Sequence, residues 1–254
     1  MFLDTTRWFE DSTMVQESIS QFDLFDFFSV LVPGGTFLIG LYPLLPSTER
    51  ITDVMAIITF VILGYVFGRG IHSVAIRWEN AGHRSRFREE LESPRTVPYS
   101  TVTAFYGRCQ DQYPELALPD DPSDALDTTV GTLYSLVRGR IHMDSRGRSR
   151  SFQAIYAFYR NIAFVSVTLG IAYLVFGLVG GVAELVVSFG LVDSPDVYPY
   201  TPIILDVGIP PGLLIPTSIV IALIVWLICK NAMTKYREHY VQYLISDYLL
   251  IDHD

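Results

Sequence analysis

Four stretches of this chain carry almost no charge over lengths that match a lipid bilayer. They are DFFSVLVPGGTFLIGLYPLL from Asp26 to Leu45, VMAIITFVILGYVFG from Val54 to Gly68 with a continuation past Arg69 to Ile76, NIAFVSVTLGIAYLVFGLVGGVA from Asn161 to Ala183, and GLLIPTSIVIALIVWLIC from Gly212 to Cys229. A helix needs about 20 apolar residues to cross the hydrocarbon core. Three of the runs meet that length directly, and the second meets it if Arg69 snorkels its guanidinium to the interface. A soluble chain of 254 residues has too little other mass to bury four such segments on every side. In lipid each segment must satisfy its own backbone N–H and C=O groups, which makes these spans helices.

The expected fold is therefore an all-α integral membrane protein. Two transmembrane hairpins flank a helical cytoplasmic insert between spans two and three, and an amphipathic helix closes the chain. The divisions read from composition are 1–22 for an N-terminal segment, 23–72 and 154–229 for the hairpins, 73–153 for the insert and 230–254 for the tail. The start, MFLDTTRWFEDST, has no basic stretch leading into an apolar core and does not read as a cleavable signal peptide.

Orientation follows from where the cations lie, since cytoplasmic loops are rich in Lys and Arg. The segment from Ser73 to Ala154 holds eleven arginines, and Lys230, Lys235 and Arg237 follow span four. The loop between spans three and four carries Glu184, Asp193, Asp196 and Asp206 and no cation. The expected location is the cell membrane, multi-pass, with both termini cytoplasmic and two short loops outside.

RGRIHMDSRGRSRS, from Arg138 to Ser151, is the densest basic stretch in a chain of net charge −9. Arg138, Arg140, Arg146, Arg148 and Arg150 lie just before span three. They are read as topology determinants meeting anionic headgroups, with specific binding of an anion, a lipid headgroup or a nucleotide as the sharper alternative. No recognition motif accompanies them, so duplex nucleic acid is not an expected partner. The basic residues are 16 Arg against 2 Lys and the acids 17 Asp against 10 Glu, with pI near 5.0. That bias is similar to the composition of proteins from halophilic archaea. At molar salt the Debye length is about 3 Å, so steering by a basic patch would be weak.

Inside the spans, Pro33-Gly34-Gly35 predicts a helix break between Leu31 and Thr36, because proline removes a hydrogen bond and clashes with the preceding turn. Freed carbonyls there could line a path, as broken helices do in transporters. Gly64 with Gly68 and Gly177 with Gly181 are GxxxG pairs that let helix backbones approach closely, within the bundle or between copies of the chain. No ionisable residue falls at mid-span, which disfavours a coupled transporter.

In the insert, Val102, Phe105, Tyr106 and Cys109 share one helical face behind an N-cap at Ser100 or Thr101. A longer helix from near Pro122 places Leu126, Val130, Leu133, Val137 and Ile141 at helical spacing, and Gly147 breaks the chain before a new helix enters span three. Met233, Tyr236, Tyr240, Tyr243 and Leu244 form an apolar stripe on the tail, expected to pack on the insert. Trp8 to Phe22 is a further interfacial candidate, with Thr13 and Gln16 as a capping box.

No metal-spaced Cys pair, HExxH, GxSxG, P-loop or nucleotide fingerprint is present, so no cofactor and no enzymatic activity are expected. His72, His83 and His142 read as structural or solvated. The layout is generically similar to small prokaryotic membrane proteins that pair a four-helix bundle with a cytoplasmic sensing or docking domain, some of them signalling or antiviral defence effectors. No motif is specific enough to carry over a residue role. The function expected is a non-enzymatic membrane protein whose cytoplasmic helices bind a protein partner or an anionic ligand. Its bundle would serve as anchor or as the pore of a homo-oligomer. The alternative is a channel or transporter subunit with its path near Pro33-Gly34-Gly35.

Overall fold

The computed structural model describes residues 26–44, 54–78, 82–143, 148–190 and 211–251. Trp8 to Phe22, the outer-loop acids Asp193, Asp196 and Asp206, and Arg146 lie outside the described residues. Every regular element among the described residues is helical. We number the helices α1 (Val32–Leu41, led in by a π-helical turn Phe27–Leu31), α2 (Val54–Trp78), α3 (Gly82–Glu92), α4 (Tyr99–Gln112), α5 (Asp127–Met143), α6 (Ser149–Ser188) and α7 (Pro211–Leu250). Four helical segments are long and apolar enough to cross a membrane. They are Phe27–Leu44, Ala56–Arg77, and segments of α6 and α7.

The expected break in span one is resolved without interrupting the helix. The π-turn widens the coil ahead of Pro33, so that Val32 N–H bonds to Phe27 O and proline enters at the start of α1. A π-bulge of this kind absorbs the ring that would strike the preceding carbonyl. The Ser29 carbonyl, four residues before Pro33, accepts instead from Asn161 Nδ2 of α6. Asn161 is 0% exposed, so its amide and the Ser29 carbonyl satisfy each other inside the helix packing.

Span one then lies directly on span two. A Cβ built on Gly34 would sit 1.8 Å from Gly64 O, and one on Gly68 would sit 2.1 Å from Val30 O. The Pro-Gly-Gly segment and the first GxxxG thus form one backbone-to-backbone contact. In the second GxxxG, Gly177 is buried, whereas nothing lies within 4 Å of a Cβ built on Gly181. α6 and α7 pack antiparallel along most of their lengths, with Gly170 against Ala222 and the Tyr159 and Tyr236 rings stacked at 5.5 Å. α1 and α2 both pack on α6.

α6 and α7 each run 40 residues, longer than any bilayer crossing requires. Their surplus ends enter a polar lobe with α3, α4 and α5. Its core joins Phe87 and Leu91 of α3, the expected Val102–Cys109 face of α4, Leu133, Val137 and Ile141 of α5, and Tyr240, Leu244 and Tyr248 of α7. The tail therefore packs on the insert, though its buried stripe is turned toward Val241, Ile245 and Tyr248 while Tyr236 and Tyr243 stack on α6.

Two expectations need correction. Leu126 is exposed rather than part of the α5 stripe, because α5 begins only at Asp127 after a short 3-10 turn at Pro122–Asp124. α4 starts at Tyr99 with Pro98 as N-cap, so Ser100 and Thr101 fall inside its first turn. The helices α2, α6 and α7 run without interruption through positions 72/73, 153/154 and 229/230, where the sequence changes from apolar to polar or back.

α3 was not anticipated from periodicity. It is held by Phe87 and Leu91 and by Glu90, whose carboxylate is 0% exposed. Glu90 Oε1 accepts from the N–H groups of Arg95, Thr96 and Val97 at 2.9, 2.7 and 2.8 Å, which fixes the turn into α4. Burial works to raise the Glu90 pKa, and these backbone donors outweigh it and hold the carboxyl below its ordinary value. Arg86 bridges Glu90 at 3.5 Å to Glu238 of α7 at 3.4 Å.

Candidate functional site

Where the four apolar segments meet the lobe, residues from four helices enclose a cavity of about 290 Å³. Its ionisable walls are Arg84 and His83 from α3, Arg138 from α5, Arg160 from α6 and His72 from α2, with Tyr134, Tyr156 and Gln153 completing the polar surface. Among the described residues no carboxylate lines it. In a chain of net charge −9, this is a local inversion of sign.

Each arginine is positioned by a distinct device. Arg84 Nη2 donates to the Asp127 carbonyl at 2.5 Å, and its guanidinium lies over Gly131, where a Cβ would come within 1.7 Å of Nη2. A helix surface without a side chain is what lets this guanidinium lie flat on α5. Arg138 sits one turn on from Tyr134 and hydrogen-bonds to it. Arg160 is 9% exposed, donates from Nε to Asn161 Oδ1 at 3.3 Å and reaches His72 Nδ1 at 3.2 Å. Asn161 Nδ2 also reaches His72 Nδ1, at 3.0 Å. Two donors converge on that nitrogen, so Nδ1 is the acceptor and the ring proton sits on Nε2.

His83 stands between Tyr156 and Tyr240, ring centroids 4.1 and 4.7 Å away. Burial first, then the charges of Arg237, Arg160 and Arg138, push its pKa down to about 3. The shift reflects the burial of His83 and the positive charge around it. His83 Nδ1 and Gln153 Oε1 are buried without a hydrogen-bond partner in the protein. Burial raises the Tyr134 pKa, opposed by its hydrogen bonds to Tyr240 and Arg138.

Of the five arginines singled out by density, the cavity takes only Arg138. Arg140 and Arg148 are exposed, Arg150 lies in α6 with its side chain undescribed, and Arg146 is outside the described residues. Residue density along the chain missed Arg84 and Arg160. Their partners lie far away in sequence, and only the packing of α3, α5 and α6 brings them together. Pro33, Gly34 and Gly35 lie in the α1–α2 contact, away from this cavity.

The chemistry available is recognition of an anion. Guanidinium forks match phosphate and carboxylate oxygens, and aromatic walls offer faces to an attached ring. Among the described residues no group of three or more His, Cys, Asp or Glu could hold a metal. Comparison with protein-family models, with curated proteins and with solved structures finds no match.

Proposed function

We propose that this chain is a multi-pass protein of the cell membrane whose cytoplasmic lobe binds a small phosphate-bearing anion, with the four apolar helices as its anchor. Both termini and the lobe face the cytoplasm, as the arginine-rich insert and the cation-free outer loop suggest. The observation that carries the reading is the convergence of Arg84, Arg138 and Arg160 on one cavity that has no carboxylate among its described lining residues. The role proposed is binding rather than catalysis. A path along Pro33-Gly34-Gly35 has less support, because backbone contact with α2 fills that face of α1. Self-association remains part of the proposal at Gly177 and Gly181, where the open side of Gly181 can receive a second copy.

Thermal unfolding of the detergent-solubilised chain tests the ligand. Pyrophosphate should raise Tm relative to chloride at equal ionic strength, and Arg138→Gln should abolish the rise. An equal response in both proteins would defeat the assignment. Labelling of an engineered cysteine at position 194 from outside the cell, with none at position 123, tests the orientation.

A further inference from the structure

We propose a second anion site, for the phosphate of an anionic membrane phospholipid, on the outer flank of α6 and α7. A cavity of about 260 Å³ is lined there by Arg160, Ala163, Trp226, Lys230, Met233, Thr234 and Arg237. Three of these side chains are cations and none is an acid. Glu238, the next residue in the chain, turns instead to Arg86 at 3.4 Å.

The position argues for a lipid. Lys230 is the first charge after the apolar run Gly212 to Cys229, and its ammonium lies 4.9 Å from the Trp226 ring centroid. Tryptophan and lysine together at the end of an apolar helix mark the headgroup level. Arg237 Nε is buried with no hydrogen-bond partner in the protein, so a donor at the floor of the cavity is unspent. Thr234 Oγ1 already donates to Lys230 O at 3.1 Å, which leaves the recognition to the cations. One and two turns toward the apolar side, exposed Leu223 and Ile219 on α7 and Ile171 on α6 continue the same flank. A phosphate seated between Lys230, Arg237 and Arg160 would lay its acyl chains along those residues.

Arg160 lines both this cavity and the lobe cavity. The same guanidinium therefore lies within reach of a lipid phosphate on one side and of the lobe ligand on the other. The lipid site rests on membrane insertion and not on the lobe site being occupied.

The test is native mass spectrometry of the delipidated full chain in detergent, with phosphatidylglycerol, phosphatidylcholine or inorganic phosphate added. The wild type should retain one phosphatidylglycerol in preference to phosphatidylcholine. Lys230→Gln with Arg237→Gln should lower that retention roughly thirtyfold, as about fivefold for each interfacial cation implies. It should leave pyrophosphate binding in the lobe intact, which also shows that the variant is folded. Arg84→Gln with Arg138→Gln should do the reverse. Equal retention of the two lipids, unchanged retention in the Lys230/Arg237 variant, or protection by inorganic phosphate alone would overturn the lipid site. Loss of pyrophosphate binding in every protein, with lipid retention intact, would instead count against the lobe ligand only.

Discussion

Alanine at Gly34 should separate spans one and two, whereas alanine at its neighbour Gly35 should not. A Cβ at Gly34 would lie 1.8 Å from Gly64 O and 2.7 Å from Gly68 N, both backbone atoms that no rotamer can move. At Gly35 the nearest atom is Phe60 Cε1 at 3.8 Å, an ordinary contact. Restoring a normal separation at Gly34 needs about 1.5 Å of helix displacement, which also opens the Gly68–Val30 contact; overpacking of this kind costs about 1–3 kcal/mol. Alanine returns up to about 1 kcal/mol of helix propensity at either position. The propensity gain is common to both, so the two variants should differ by about 1–3 kcal/mol, Gly34→Ala less stable than wild type and Gly35→Ala equal or better. Reversible unfolding in mixed detergent–dodecyl sulfate micelles, followed by tryptophan fluorescence, measures the difference. If Gly34→Ala proved as stable as Gly35→Ala, the backbone contact between α1 and α2 would be wrong.

Other outcomes follow from the lobe. Glu90→Ala leaves the N–H groups of Arg95, Thr96 and Val97 without their acceptor and should destabilise the lobe by about 3 kcal/mol, while Glu90→Gln, which keeps an acceptor oxygen, should lose less; amide hydrogen exchange across 93–98 reads the difference. Gly131→Ala should displace the Arg84 guanidinium and weaken pyrophosphate binding while leaving Tm equal or higher, because the clash is with the tip of a flexible side chain. His83 is held near pKa 3 in the fold against 6.5 when unfolded, so the folded state binds fewer protons between those values. Stability should be flat above pH 6.5 and fall as pH drops toward 3, by up to about 1.4 kcal/mol per unit, and His83→Phe should remove that component of the slope.

The long-range order of this fold is readable where one periodicity dominates a long segment. Uninterrupted apolar runs gave the four candidate spans, and the Val102–Cys109 face gave the buried side of α4. α3 was hidden because GHRSRFREELE offers only Phe87 and Leu91 to a core, and its carboxylate anchor at Glu90 looks like any surface charge. The two glycine motifs were visible separately, but nothing local says that Gly34 meets Gly64 rather than a second copy of the chain. The same reason kept the basic cavity out of sight. Arg84, Arg138 and Arg160 come from three helices, while Arg140 and Arg148 of the dense run are exposed on either side of the link between two helices.

The most direct test of the central claim is equilibrium dialysis of labelled pyrophosphate against the full chain in detergent, at fixed ionic strength. The lobe cavity predicts saturable binding of one ligand per chain, unchanged in Arg140→Gln with Arg148→Gln and lost in Arg84→Gln with Arg138→Gln. Binding that follows the exposed pair, or that is merely graded with total arginine number, would contradict the cavity and return the arginines to a role at the headgroup layer.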